Sequence, residues 1–365
     1  MAVYLHGVAT VVPLTRYPQA SAGELMQAWV GGERRTDHLL HRIYRHSGIH
    51  TRHSVVTDFA PGGPTGLFLD PESGDFRTPG TAERNAVYAR EAPPLFVEAA
   101  RRALERAGGV APEDVTHVVT VSCTGFVAPG PDLAVVRALG LAPSTERYHL
   151  GFMGCYAAFP ALRMAEAFCR ADPDAVVLVA SVELCSLHLQ ASREVDDLVA
   201  GSVFADGGAA TVVSSHAPRG RALRIERFGT GVVYEGEDEM AWTIGDTGFE
   251  MVLSSYVPRI VGERAEEAVT PLLEGAGVAR SQVRRWAVHP GGRAILDRVE
   301  QGLALPEEAL AASREVLARY GNMSSATVLF VLERMLASDG QAGEPIVAMA
   351  FGPGLTVDTA VLRTA

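Results

Sequence analysis

Three residue types that together can transfer an acyl group lie far apart in this 365-residue chain. Cys155 stands in Gly151-Phe152-Met153-Gly154-Cys155-Tyr156, a glycine-framed turn that leads into an apolar helix with Ala158, Leu162, Ala165 and Cys169 on one face. A thiol beside a helix N-terminus is a candidate nucleophile, because unpaired N–H groups and the macrodipole favour the thiolate, and the expectation is a pKa below the free value of about 8.5. The bland alternative is an inert core cysteine.

His289 leaves a strand in Val288-His289-Pro290-Gly291-Gly292, where proline and glycine would fix the ring, and Asn322 opens a helix in Gly321-Asn322-Met323-Ser324-Ser325. A carboxamide takes no proton, so Asn322 would donate a hydrogen bond beside His289 Nε2 to a thioester oxygen as it becomes an enolate. That is the requirement for decarboxylating a malonyl thioester, with Cys155 as the covalent carrier. The same imidazole, if protonated, would stabilise the Cys155 thiolate. Taken singly, His289 reads as a core histidine and Asn322 as a helix cap.

The elements that position these residues form an internal repeat. Residues 103–125 run helix, turn and apolar strand into Cys123, and residues 272–292 do the same into His289. At near-equal further spacing follow the glycine-framed starts at Cys155 and Asn322, and then the apolar strands Ala175–Ala180 and Pro345–Ala350. Two duplicated α/β halves, residues 1–215 and 216–365, are expected, each a sheet covered by helices, facing one another across the three polar residues. The loop Phe351-Gly352-Pro353-Gly354 is expected to line the same cavity. Upstream, residues 1–13 read as a strand, 21–50 as helical, 83–107 as a helix, and the Pro- and Gly-rich stretch 61–80 as a surface loop.

Composition narrows the class. A net charge of −11 disfavours nucleic acid, and no apolar run is long enough to span a bilayer. The start lacks a basic leader, and the cysteines Cys123, Cys155, Cys169 and Cys185 have no CxxC spacing, which argues against a disulfide frame and a metal site and for the cytoplasm. Against this acidic background residues 33–53 hold Arg34, Arg35, Arg42, Arg45 and Arg52 with five histidines, a docking place for an anionic group such as a nucleotide phosphate or else a solvated helix face.

The motifs around Cys155, His289, Asn322 and Gly352-Pro353-Gly354 resemble those of the type III polyketide synthases, the chalcone-synthase-like branch of the thiolase superfamily. The resemblance implies a five-layered αβαβα thiolase-like fold, a homodimer, and no cofactor beyond the CoA thioesters that serve as substrates. It implies that Cys155 carries an acyl-CoA starter and the growing chain while His289 and Asn322 promote decarboxylation of malonyl-CoA and Claisen condensation. Arg42 is similar to a CoA-phosphate contact, Phe204 to a gatekeeper, and Met251 stands at the second gatekeeper position. Cys123, Leu187 and Trp242 fall at cavity positions that differ from the plant pattern, while Ser324, Gly352 and Pro353 belong to the shared motifs. These departures look bacterial and point to a fatty acyl starter and a pyrone or resorcinol-type product. The rivals are an initiating ketoacyl-carrier-protein synthase, a hydroxymethylglutaryl-CoA synthase with Glu183 as acid, and a non-catalytic partner subunit of the same fold.

Overall fold

The computed structural model describes residues 1–60, 66–338 and 340–365. Within the expected loop 61–80, Pro61, Gly62, Gly63, Pro64 and Thr65 lie outside the described residues.

Nine strands form one mixed sheet in the order Arg285–Val288, Pro345–Gly352, Thr356–Thr364, Ala222–Val232, Val3–Val11, Asp206–Ser214, Val176–Leu184, His117–Ser122, Glu146–Gly151. Pairing on either side of the centre follows one scheme. In the first part Val3–Val11 pairs antiparallel with Asp206–Ser214, which pairs antiparallel with Val176–Leu184, which pairs parallel with His117–Ser122. In the second, Ala222–Val232, Thr356–Thr364, Pro345–Gly352 and Arg285–Val288 repeat that sequence of antiparallel, antiparallel and parallel pairs. The parts join where Val3–His6 pairs with Ala222–Ile225. Only the first carries the further edge strand, Glu146–Gly151.

Side-chain alternation along these strands builds the layers. Val177 and Val179 face one core, while Val176, Leu178 and Ala180 face another, so both faces of the strand Val176–Leu184 are buried. Each such Val or Leu contributes about 1.5–3 kcal/mol by burial. The central core holds the helices Ala158–Ala171 and Thr327–Ala337 between strands of both parts. One outer core packs the helix Thr81–Ala107 on the first set of strands, and the other packs Val257–Ala276 and Arg293–Gly302 on the second. The result is the expected five-layered αβαβα, thiolase-like arrangement.

Helix ends repeat as well: Thr81–Ala107 and Val257–Ala276 both stop at a left-handed glycine, Gly108 (φ 62°) and Gly277 (φ 64°), each followed by a short 3-10 turn and a parallel strand. The stretch read as helical over 21–50 is two helices, Gln19–Val30 and Arg34–His46, broken at Gly31-Gly32. A two-stranded hairpin, Met240–Gly245 with Gly248–Leu253, stands apart from the main sheet. No described helix is long and apolar enough to cross a membrane.

Candidate active site

The strand Glu146–Gly151 ends one residue before Phe152, which takes the left-handed conformation (φ 61°) that glycine was expected to supply at 151. Gly154 does turn left-handed (φ 80°), and a side chain there would strike Pro353 of the glycine-proline-glycine loop. Cys155 then lies in the turn closed by Ala157 N–H donating to Gly154 O (3.1 Å), just ahead of the helix Ala158–Ala171. That helix buries Ala158, Leu162, Ala165 and Cys169, the face read from the sequence.

Cys155, His289 and Asn322 line one cavity of about 400 Å³ whose walls are mostly apolar. Asn322 Nδ2 reaches Cys155 Sγ at 4.0 Å and Gly291 O at 3.3 Å. Its Oδ1 accepts from Ser324 N–H (2.8 Å) and Thr327 Oγ1 (3.4 Å). The side chain is therefore held at its oxygen end, and its amide is the part that reaches the sulfur. His289 N–H donates to Met349 O (2.8 Å), which anchors the backbone, while the buried ring has no hydrogen-bond partner at Nδ1 or Nε2.

Electrostatics correct the expected thiolate. Burial pushes the Cys155 thiol up to about 11, reinforced by the nearby Glu183 charge and opposed by hydrogen bonds from Ser324 and Asn322. Burial alone lowers His289 to about 3. The resting pair is a neutral thiol and a neutral imidazole. The physical reason is that the mostly apolar walls of the cavity penalise either charge.

Among the other expected residues, Arg42, Cys123, Phe204, Trp242, Met251, Ser324 and Pro353 line the cavity. Leu187 does not: it is fully buried in the outer core under the helix Thr81–Ala107, and Cys185 lines the cavity in its place. Gly352 is also outside the lining and acts by close approach, since a side chain there would strike Tyr156 beside the nucleophile. The basic stretch divides in two. Arg42 and His46, on the helix Arg34–His46, face the cavity, whereas Arg52 is buried and donates to Gly201 O and Phe204 O (both 2.7 Å), and His53 bonds Pro13 O (2.8 Å).

Sequence reading missed Arg293 and Asp196 among the lining residues, and it named Glu183 only as the acid of a rival enzyme, not as the centre of a hydrogen-bonded hub. Glu183, at the end of the buried strand, accepts from Cys123 N–H (2.9 Å), Thr124 Oγ1 (2.9 Å) and Ser325 Oγ, and burial raises its carboxyl to about 7. Cys123 Sγ in turn accepts from Gly154 N–H (2.9 Å). A lone carboxylate closing an apolar strand was the available signal. Trp242 Nε1 donates to Cys123 O (3.0 Å), which ties the hairpin to the same hub. No group of residues suited to hold a metal ion occurs among the described residues.

A five-layered thiolase-like fold with cysteine, histidine and asparagine on one cavity defines a condensing acyltransferase. The chain belongs to the chalcone and stilbene synthase family, the type III polyketide synthases: it matches the family's N-terminal domain over residues 7–217 and its C-terminal domain over residues 229–365. It is 35% identical over 326 residues to the alpha-pyrone synthesis polyketide synthase-like Pks18 of Mycobacterium tuberculosis, covering 87% of this chain and 80% of that protein. Among solved structures it is similar to PKS-I of the brown alga Ectocarpus siliculosus, with a TM-score of 0.90, 32% identity and coverage of 100% of this chain and 99% of that one. It is also similar to 1,3,6,8-tetrahydroxynaphthalene synthase of Streptomyces coelicolor, with a TM-score of 0.88, 30% identity and 99% coverage of both chains.

Proposed function

We propose that this type III polyketide synthase loads an acyl-CoA starter on Cys155, extends it by iterative decarboxylative condensation with malonyl-CoA, and cyclises the product to a pyrone or resorcinol. The observation that carries the reading is the convergence of Cys155, His289 and Asn322 on one apolar cavity. In loading, the sulfur attacks the starter carbonyl, His289 takes the thiol proton, and that proton leaves with the CoA thiol.

In extension, malonyl-CoA loses CO₂ and the electron pair of the broken bond becomes an enolate. His289 Nε2–H and Asn322 Nδ2–H donate to its oxygen, and the nucleophilic carbon attacks the Cys155 thioester and displaces the sulfur. Because neither ring nitrogen of His289 has a partner, the protein does not fix its tautomer. The same Nε2 can accept in the first step and donate in the second.

Arg42 and Arg293, which line the cavity, supply positive charge for CoA phosphates, and Phe204 and Met251 stand as gatekeepers. The apolar run Val195, Val199, Val203, Met240 and Leu253 along the cavity supports a fatty acyl starter. The alpha-pyrone assignment of the mycobacterial relative points to the same product class. The matched strand pairing supports two duplicated halves with a boundary near residue 215, and the open edge of Glu146–Gly151 is consistent with a homodimer. Four free cysteines suit the cytoplasm.

The test is a product profile by mass spectrometry from purified protein, malonyl-CoA and acyl-CoA starters of graded length. Cys155→Ala is expected to abolish chain extension; full polyketide synthesis by that variant would overturn the assignment.

A further inference from the structure

The guanidinium of Arg84 is fully buried, yet no carboxylate lies within ion-pair distance of it among the described residues. It is spent on backbone carbonyls: Nε donates to Pro79 O (3.0 Å), and Nη1 donates to Leu187 O (2.5 Å) and Leu189 O (2.8 Å). The group lies over the Phe68 ring (5.0 Å), and one nitrogen, Nη2, has no partner. An apolar side chain would fill this space without taking a cation out of water, so stability alone does not account for an arginine here. A planar fork with fixed donor directions does something an apolar side chain cannot: it sets the relative positions of the segments whose carbonyls it binds.

Those segments lead to one wall of the cavity. Leu187 and Leu189 flank His188, whose Nε2 bonds Thr124 O (2.8 Å), whose Nδ1 accepts from Phe249 N–H (3.0 Å), and whose ring stacks on Phe249 at 4.0 Å. Phe249 belongs to the hairpin in which Met251 pairs with Trp242, and both of these side chains line the cavity. The hairpin turn rests directly on Arg84: Gly248 has φ 116°, and a side chain there would lie 2.9 Å from Arg84 Nε. The first turn of the helix that carries Arg84 holds the same hairpin turn through Thr81, whose N–H donates to Asp246 O (2.8 Å) and whose Oγ1 accepts from Gly248 N–H (2.8 Å) and donates to Gly245 O. The hairpin is outside the main sheet, so these contacts, with the Gln190 side chain on Thr247 O and Phe249 O, stand where sheet pairing would otherwise fix its position.

Resting on the polyketide synthase reading, we infer that Arg84 is a positioning residue that sets the placement of the Trp242–Met251 wall and thereby the acyl length the cavity accepts. It touches no reacting atom. Burial lowers its pKa only to about 10, so the fork remains charged at neutral pH.

The experiment compares the parent with Arg84→Lys, which keeps the charge and loses the fork, and Arg84→Met, which keeps the length and loses the charge. For each, kcat/KM is measured across acyl-CoA starters of graded length, alongside malonyl-CoA decarboxylation without a starter and thermal unfolding. The expected result is a change of about tenfold or more in the ratio of kcat/KM between long and short starters, with decarboxylation near the parent rate. An unchanged length profile, or an equal loss at every length together with decarboxylation, overturns the inference. Thr81→Val, which removes the hydroxyl's bonds to Gly245 and Gly248 and keeps the backbone bond to Asp246, is expected to change the long-to-short ratio as well and carries the test if the Arg84 variants do not fold. Failure of the parent to form any polyketide would instead defeat the underlying reading.

Discussion

Asn322 Nδ2 stands 4.0 Å from Cys155 Sγ although 167 positions separate the two in the chain. The contact is one-sided, because the carboxamide oxygen is committed to Ser324 N–H at 2.8 Å, which leaves the amide as the only part of the side chain that faces the thiol. Asn322→Asp keeps an acceptor for Ser324 but loses the donor to the thioester oxygen and to Gly291 O, so malonyl-CoA decarboxylation is expected to fall by about 10²–10³-fold and Tm to fall with it. Asn322→Ala loses both functions and should lower Tm as well. Decarboxylation assays and thermal unfolding of the two variants check this.

The raised Cys155 thiol sets a pH dependence opposite to that of an activated cysteine. With its pKa at about 11, the thiolate fraction climbs about tenfold per pH unit through neutrality, and His289, neutral above about pH 3, adds no titration there. Alkylation of the free enzyme at Cys155, followed by peptide mass spectrometry, should accelerate steadily from neutral to alkaline pH. A plateau reached below neutrality would show a thiolate at rest and would remove the neutral-pair description.

Glu183 ties stability to pH. Its folded pKa, about 7, lies above the ordinary 4.5, so the folded state holds the proton more tightly. The stabilisation is fully present below pH 4.5 and is lost as pH rises through about 7. Glu183→Gln has no proton to lose. Its Tm relative to the parent is expected to rise across that window, read by thermal unfolding in a series of buffers, and parallel curves would refute the raised carboxyl.

On the proposed reading Arg42, which lines the cavity, acts on the part of a CoA substrate that does not react. Arg42→Ala is expected to raise KM for CoA thioesters by about 10- to 100-fold, the worth of one charge-assisted hydrogen bond of about 1.5–3 kcal/mol, and to leave kcat nearly unchanged. Steady-state kinetics with malonyl-CoA measure both. An unchanged KM would return Arg42 to the solvated face of its helix.

Local patterning was enough for much of the fold. The apolar runs around Val177 and Val347 could only be buried strands, the spacing of Ala158, Leu162, Ala165 and Cys169 could only be a helix face, and their recurrence in two parts of the chain implied layered α/β architecture. The candidate trio was legible for the same reason, since each member sits where a strand or helix ends beside glycine. Register errors were the cost at the cavity. At a strand-to-turn junction one or two residues decide which side chain faces inward, so Leu187 was expected where Cys185 stands.

Protonation was decided by tertiary structure alone. A cysteine beside a helix start looks activated in sequence, but desolvation depends on every wall of the cavity, and those walls come from Phe204, Trp242, Met251 and Phe351, drawn from across the chain. The sequence determined the candidate groups for the chemistry and the strands and helices that end beside them, because those depend on neighbours a few residues away. Only the packed molecule determined their charge, the carboxyl hub beneath the thiol and the buried arginine behind the hairpin, because dielectric surroundings and backbone acceptors are supplied by segments that meet only on folding.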